Sequence, residues 1–315
     1  MNTRQLGKNG PFITTIGFGA WAIGGPWQYG WGKVDDEESI KAIHTALDKG
    51  INWIDTAAVY GFGHSEEVVG KAIKGIREEV FIATKCGMIN DGKGNAVVNL
   101  KPDSIRKEIE DSLRRLQTDY IDLYQFHWPD PNTPVEDSWG TMIQLQEEGK
   151  VRYIGVCNFD VPLLERCMKI KHVQSLQPPY SLLRRDIEKE ILPYCLKNEI
   201  GVVVYSPMQA GLLTGKFDMS KVAEDDWRRK NRMFQEPFLS KALEFVEKLR
   251  PIAAKANKTV GNLAVAWVLR NKAVTAAIVG ARNSQQVLEN INADDYQLDE
   301  EDVNKISALL EEMGL

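Results

Sequence analysis

The sequence has few cysteines, and none of them has a spacing that is typical of metal sites. Cys86, Cys157, Cys167 and Cys195 are scattered along the chain without a CxxC or CxxH arrangement. We therefore expect reduced thiols, a cytoplasmic location and no metal site. The chain also lacks a Pro-, Ser- or Gly-rich linker that would divide it, so residues 1–315 are predicted to form one domain.

Long hydrophobic runs and an excess of positive charge are missing as well. No apolar stretch approaches the roughly 18 residues of a membrane span, and the polar start, MNTRQ, does not resemble a signal peptide. Lys and Arg number 39 against 44 Asp and Glu, which gives a net charge of −5. This balance argues against nucleic acid or a membrane as the main partner, but it permits a basic pocket for a phosphorylated cofactor.

What the sequence does contain is a regular alternation of short apolar runs with longer amphipathic ones. The apolar runs predict strands at residues 15–19, 52–55, 80–84, 120–126, 151–156, 173–177, 201–205 and 276–279. The amphipathic runs predict helices at residues 36–49, 65–74, 102–116, 135–148, 163–169, 186–197 and 284–290. This α/β rhythm favours a closed parallel (β/α)8 barrel, the TIM barrel, over an open sheet.

Other segments lie outside this repeat. Residues 4–13 contain an Asn-Gly signal and predict an N-terminal β-hairpin before the first barrel strand. Extra helical patterns occur at residues 238–256 and 260–270, and a C-terminal helix is predicted at residues 299–312. The charged stretch 206–237 has the length of a functional or mobile loop.

Polar residues follow the ends of the predicted strands, where a TIM barrel builds its active site. They are Asp55, Lys85, His127, Asn158, Gln177, Tyr205 and Ser206. Taken singly, each has an ordinary structural explanation, such as a turn cap or a solvated charge. Together with Tyr60, they would converge at one barrel mouth.

That combination suits carbonyl reduction. Hydride delivery to a carbonyl leaves an alkoxide that needs a proton, and Tyr60 is the candidate donor. The Lys85 ammonium would lower the pKa of Tyr60, Asp55 would keep Lys85 charged, and His127 would orient the carbonyl oxygen or share the proton relay.

The chain resembles the aldo-keto reductases from Ile16 to Asn290. The resemblance is carried by NWIDTAAVYG at residues 52–61, LRRLQTDYIDL at 113–123 and IGVCNF at 154–159. It implies a (β/α)8 barrel with two extra helices, an oxidoreductase acting on aldehydes and ketones, and NADPH bound across the barrel mouth. The family's catalytic tetrad falls on Asp55, Tyr60, Lys85 and His127.

The resemblance also implies a cofactor site. Asn158 and Gln177 would hold the nicotinamide carboxamide, and Tyr205 would stack on its ring. Arg282 can pair with a 2′-phosphate beside a helix N-terminus, which favours NADPH. Arg228 is either a cofactor clamp or a solvated charge. The other expected contacts are Ala20, Trp21, Asp55, Ser206, Pro207, Met208, Gln209, Ala210, Gly211, Lys216, Gly280, Ala281, Gln286 and Asn290.

The predicted substrate pocket consists of Trp21, Tyr60, His127 and Trp128, with Phe62 as a further candidate and Trp53 assigned to the core. Such walls favour apolar or aromatic aldehydes. Cys157 stands where the family usually has Ser, which would weaken the grip on the carboxamide.

Two other functions stay open. The chain could be a cofactor-binding regulatory subunit that senses redox state with slow turnover. A barrel isomerase or hydrolase would need a metal site or paired carboxylates, and none is convincingly placed. The sequence leaves the physiological substrate, the reaction direction and the choice between monomer and homo-oligomer open.

Overall fold

The computed structural model describes residues 1–315, and most of the chain lies in strands and helices. The strands are β1 (Thr3–Gln5), β2 (Phe12–Thr14), β3 (Ile16–Gly19), β4 (Trp53–Asp55), β5 (Phe81–Cys86), β6 (Met88–Asn90), β7 (Ala96–Val98), β8 (Ile121–Phe126), β9 (Val151–Cys157), β10 (Ser175–Gln177), β11 (Gly201–Val204) and β12 (Val274–Gly280). The α-helices are α1 (Asp36–Asp48), α2 (His64–Ala72), α3 (Pro102–Leu116), α4 (Val135–Glu147), α5 (Val161–Met168), α6 (Ile191–Lys197), α7 (Phe238–Lys255), α8 (Val260–Leu269), α9 (Ser284–Ile291) and α10 (Glu300–Met313).

Eight of the strands form a closed parallel barrel. Their order around the barrel is β3, β4, β5, β8, β9, β10, β11 and β12, and β12 then pairs with β3. The closing pairs run from Ala277 with Ile16 to Gly280 with Gly19. The predicted (β/α)8 barrel is therefore confirmed, with strand ends shifted by one or two residues.

Side-chain caps explain where several helices begin. Asp35 accepts hydrogen bonds from the backbone N–H groups of the first turn of α1, and Asp299 and Asn283 do the same for α10 and α9. Each cap satisfies backbone donors that have no partner inside the helix. The caps thus help to set the outer ring of helices around the strands.

The N-terminal hairpin closes the end of the barrel that lies opposite the strand ends carrying the site. β1 and β2 pair in antiparallel fashion, as predicted for residues 4–13. Leu6 and Ile13 are almost completely buried and pack against inward-facing side chains of the barrel strands, which are Trp53, Ala83, Leu123, Val203, Ala276 and Ile278. This end is therefore filled by hydrophobic side chains.

Two helices are additional to the ring, as the extra helical patterns indicated. After β11 the chain forms α7 before α8, and α8 is buried along its whole length. α7 packs against the C-terminal helix α10. The predicted helix at 186–197 is divided into a 3-10 turn, Asp186–Glu188, and α6, because Glu190 between them leaves the helical conformation.

Two features differ from the sequence-based expectation. β6 and β7 form a second hairpin that was not predicted, closed by a turn in which Asn90 accepts hydrogen bonds from Gly92 and Gly94. The stretch 206–237 is a series of short 3-10 turns.

None of the helices is both long enough and apolar enough to cross a bilayer. The expectation of a single domain stays a prediction. The main hydrophobic core cluster contains residues from β3 through α10.

We predict that Leu6→Ala destabilises the barrel, because Leu6 is fully buried among the side chains that fill its closed end. Truncating such a leucine removes buried methyl groups and leaves a cavity, so the free energy of unfolding should fall by about 2–5 kcal/mol in urea denaturation. Leu196→Ala is the matched control, since Leu196 is 58% exposed and its loss should have little effect. Equal effects of the two substitutions would contradict this account of the hairpin.

Candidate active site

A buried ion pair forms the floor of the barrel mouth. The Lys85 side chain comes from β5 and is completely shielded from solvent, and its Nζ donates to Asp55 Oδ1 at 2.6 Å. The same ammonium donates to the Thr56 carbonyl at 2.9 Å and to the Tyr60 hydroxyl at 3.3 Å. All three ammonium protons therefore have acceptors, as a buried charge requires.

Tyr60 reaches this ammonium because of a tight turn after β4. The turn covers Tyr60–Gly63, and Gly61 lies in the left-handed region at φ 62°. A Cβ on Gly61 would lie 1.9 Å from the Gly24 carbonyl oxygen, so only glycine fits there. Close packing of Gly24 against Tyr60 and Gly61 holds the start of this turn in place, with the phenol next to Lys85.

Burial outweighs the charge of Lys85 at the Tyr60 hydroxyl. Burial raises the pKa of Tyr60 to about 12, although the Lys85 ammonium lowers it. The lowering effect expected of Lys85 is present, but burial outweighs it and the net shift is upward, because a sequence does not show how deeply one hydroxyl is buried. At neutral pH Tyr60 is a neutral phenol that holds its proton. Burial opposes the charge on Lys85, but Asp55 leaves the pKa of Lys85 above its usual value.

His127 follows β8 and lies against Tyr60, with ring centroids 5.6 Å apart. Burial, helped by the Lys85 charge, lowers the pKa of His127 well below its usual value, so the ring is neutral. Its Nδ1 is buried without a hydrogen-bond partner. A buried N–H without an acceptor is costly, so the tautomer with the proton on Nε2 rather than on Nδ1 is favoured. Nε2 makes no hydrogen bond within the protein.

A single large cleft, about 980 Å³ in volume, extends from Tyr60 and His127 to the start of α9. Most of the predicted site residues line it. They are Trp21, Asp55, Tyr60, His127, Trp128, Asn158, Gln177, Tyr205, Ser206, Pro207, Met208, Gln209, Ala210, Gly211, Lys216, Gly280, Ala281, Arg282, Gln286 and Asn290. Residues from seven of the eight barrel strand ends and from α9 thus share one continuous wall.

The polar residues expected at the nicotinamide are bonded to the tetrad. Asn158 donates to the His127 carbonyl at 3.0 Å and accepts from the Tyr205 hydroxyl at 2.9 Å. Gln177 donates to Asp55 Oδ2 at 2.8 Å. The buried thiol of Cys157 makes no hydrogen bond and does not line the cleft. Gln177 therefore ties the opposite wall of the barrel to Asp55, and Asn158 links His127 to Tyr205.

Ala20 and Phe62, which were predicted at the site, do not line the cleft. Ala20 is fully buried behind the cleft wall, because its neighbours Gly19 and Trp21 face the opening instead. Phe62 packs against Trp27, with ring centroids 6.2 Å apart, and does not line the cleft. Ala20 and Phe62 are thus corrections to the predicted site, whereas Trp53 lies in the core as expected.

Arg228 is neither on the cleft wall nor in solvent. Its side chain is 12% exposed, pairs with Asp226 at 2.7 Å, and lies 4.3 Å above the Trp31 ring. Arg228 therefore holds the loop after β11 against the loop after β3. The interpretation as a solvated charge was wrong. Arg228 does not line the cleft, so the structure does not support the interpretation as a cofactor clamp.

Sequence reasoning missed most of the aromatic rim. Trp21 lies 5.7 Å from both Trp31 and Trp227, measured between ring centroids, and so joins two loops at the opening. Three aromatics in the Gly-rich segment GGPWQYGWG were the available signal, since large side chains in a loop beside a predicted site often line it. The missed wall residues include Trp27, Tyr29, Trp31, Met88, Val98, Trp227 and Phe234.

The model of the aldo/keto reductase family matches residues 15–311, which is nearly the whole chain. The chain belongs to the aldo/keto reductase family. It is therefore an oxidoreductase that acts on carbonyl groups with a nicotinamide cofactor.

Several family members are similar to this aldo/keto reductase. Aldo-keto reductase YhdN of Bacillus subtilis (strain 168) is 40% identical over 316 residues, which cover 99% of this chain and 94% of YhdN. The NADH-specific methylglyoxal reductase of Escherichia coli (strain K12) is 36% identical, with 99% of each chain covered. The solved structure of the glycerol dehydrogenase AKR11B4 from Gluconobacter oxydans has a TM-score of 0.89 and 38% identity, covering 99% of this chain and 95% of that one.

We predict that Lys85→Met destabilises the protein, because it leaves the Asp55 carboxylate buried without its ammonium partner. Breaking a buried pair in this way typically costs about 3–5 kcal/mol in the free energy of unfolding.

The double variant Lys85→Met/Asp55→Asn is the control for this prediction. It removes the stranded charge, so denaturant titration should show that much of the lost stability returns. A double variant as unstable as the single one would mean that packing, rather than the unpaired carboxylate, is responsible.

Proposed function

We propose that this aldo/keto reductase reduces aldehydes and ketones with NADPH, and that Tyr60 donates the proton. The observation that carries the proposal is the contact between the Lys85 ammonium and the Tyr60 hydroxyl on the cleft floor, at 3.3 Å. In this contact the proton donor is the Tyr60 hydroxyl, and the phenolate left after proton transfer would form beside the positive charge of Lys85.

The residues divide the work at the carbonyl oxygen. A nicotinamide cofactor, when bound in the cleft, would supply the hydride that adds to the carbonyl carbon. The Tyr60 hydroxyl and His127 Nε2 are the donors that face the cleft beside each other, and both can hydrogen-bond the carbonyl oxygen. As negative charge develops on that oxygen, Tyr60 gives up its proton, and Lys85 stabilises the resulting phenolate. Asp55 keeps Lys85 charged throughout.

The choice of NADPH rests on Arg282. This residue lines the cleft just before α9, and its guanidinium makes no ion pair or hydrogen bond within the protein. An unpaired guanidinium beside a helix N-terminus is suited to the 2′-phosphate of NADPH. The E. coli relative is NADH-specific by name, so cofactor preference has to be decided by this chain's own residues.

The first test of the proposed mechanism is Tyr60→Phe. Removal of the hydroxyl should lower kcat by at least about 100-fold for aldehydes, methylglyoxal, ketones and sugars, since proton donation contributes roughly 10²–10⁴-fold. NADPH binding, followed by fluorescence titration, should change by less than about twofold, because Phe keeps the ring in place.

Tyr194→Phe is the matched control for this test, because Tyr194 lies on α6, away from the cleft wall. It should retain full activity. Undiminished turnover in Tyr60→Phe would overturn the mechanism. Tight cofactor retention with slow turnover on every carbonyl, in the unaltered enzyme, would instead favour the regulatory function.

The second test concerns the cofactor. Arg282→Ala should raise the Kd for NADPH by about 10- to 100-fold, the effect of losing a charged pair with phosphate. The Kd for NADH should change by less than about twofold, which makes NADH the internal control. An equal loss for both cofactors, or tighter binding of NADH by the unaltered enzyme, would contradict the NADPH preference.

A further inference from the structure

We propose that Glu108 is a positioning residue of this enzyme, whose buried carboxylate holds the Cys86–Gly87 peptide and through it both His127 and the substrate side of the cleft. The proposal rests on the proposed function and concerns a residue outside the tetrad. Glu108 lies on α3 behind the barrel, is only 7% exposed, and does not line the cleft.

A single peptide group links Glu108 to His127. The backbone N–H of Gly87 donates to Glu108 Oε2 at 2.9 Å. The carbonyl of the same peptide, that of Cys86, accepts from the His127 backbone N–H at 2.9 Å. A carboxylate bonded to the N–H polarises the peptide and strengthens the bond that its carbonyl accepts. Through this peptide, Glu108 acts on the end of β8, which His127 follows. It also acts on Gly87, which lies two positions after Lys85.

The same peptide sets the course of the β6–β7 hairpin. Gly87 lies at φ 84°, and a Cβ there would be 2.2 Å from a methyl carbon of Leu100, so this sharp turn requires glycine. The Gly87 carbonyl accepts from Asn99 N–H at 3.0 Å and closes the base of the hairpin. Met88 and Val98, on either side of that base, line the cleft.

The surroundings of Glu108 make its hydrogen bond with the Gly87 N–H depend on whether the Glu108 carboxyl group is protonated. Burial, together with the Glu66 carboxylate, raises the pKa of Glu108 to about 7, against the lowering effect of hydrogen bonds from Gly87 and Ser104 and of the Arg115 charge. The other titratable groups that face it are the thiol of Cys86 and the phenol of Tyr124, both of which stay neutral because burial raises their pKa values.

Protonation changes what the carboxyl group can do. In the ionised form Glu108 accepts from Gly87 N–H and from the Ser104 hydroxyl at 3.0 Å. A protonated carboxyl group loses the charge that strengthens both bonds, and one of its oxygens becomes a donor. Because Tyr60 has a pKa near 12 and that of His127 lies well below 6.5, neither explains a change near pH 7.

The decisive experiment is the pH profile of kcat/KM for carbonyl reduction between pH 5.5 and 9. The unaltered enzyme should gain activity as the pH rises through about 7, when Glu108 ionises. Glu108→Gln, which can bond both Gly87 and Ser104 without a charge, should lose this step and keep the lower activity throughout. Glu108→Ala should raise KM for the carbonyl by about tenfold at every pH, with the Kd for NADPH unchanged.

Two further variants make the test specific. Ser104→Ala removes a hydrogen bond that favours the ionised form, so the step should move to higher pH. Glu110→Gln makes the same substitution on the exposed face of α3, where Glu110 pairs with Lys150, and should leave the profile unchanged. A step near pH 7 that persists in Glu108→Gln, or that does not move in Ser104→Ala, would overturn the proposal.

Hydrogen exchange separates this proposal from the proposed function. In Glu108→Ala, mass spectrometry should show faster exchange in the peptides that contain Gly87 and His127, whether or not a carbonyl substrate has been found. Unchanged exchange there would refute the role of Glu108, while an unaltered enzyme that reduces no carbonyl would refute the proposed function alone.

Discussion

A buried ammonium is tolerated only when each of its protons has an acceptor, and Lys85 meets this condition with atoms from one short stretch of chain. Asp55 ends β4, Thr56 follows it, and Tyr60 returns over both through the turn at Gly61. The requirement constrains the path of the turn after β4, because Thr56 and Tyr60 both have to reach Lys85. Gln177 then extends the network from Asp55 to the opposite wall of the barrel.

The electrostatics of the site follow from this single pair. Asp55 and Lys85 are both ionised and cancel each other, so the floor of the cleft carries little net charge. Tyr60 and His127 are neutral because the same burial that strengthens the pair disfavours further charge nearby. The site therefore presents two neutral donors to a carbonyl oxygen, with a positive charge beneath one of them.

Much of this arrangement was predictable because barrel strands are regular. Asp55, Lys85 and His127 were found from their positions at strand ends, since those ends must share one rim of a parallel barrel. The rim aromatics Trp27 and Trp31, and the hairpin around Met88, were not found, because loops have no hydrophobic periodicity and their course depends on tertiary contacts.

Other errors had a related cause. Ala20 sits beside two residues that do face the cleft, and a sequence does not show which of three neighbours turns inward. The direction of the pKa shift at Tyr60 depends on how deeply the hydroxyl is buried, which is a property of the folded protein. Arg228 required knowledge of a contact with Trp31, almost two hundred positions earlier in the chain.

The pairing of β12 with β3 joins residues 277–280 to residues 16–19 and has a consequence for synthesis. The tetrad lies within the first 127 residues, whereas the cleft wall near α9 is completed only by residues from 280 onward. A chain still emerging from the ribosome thus possesses its reactive groups long before it has a closed barrel in which to use them. We therefore expect a chain that stops short of residue 274 to have every tetrad residue but no closed barrel, and so no activity.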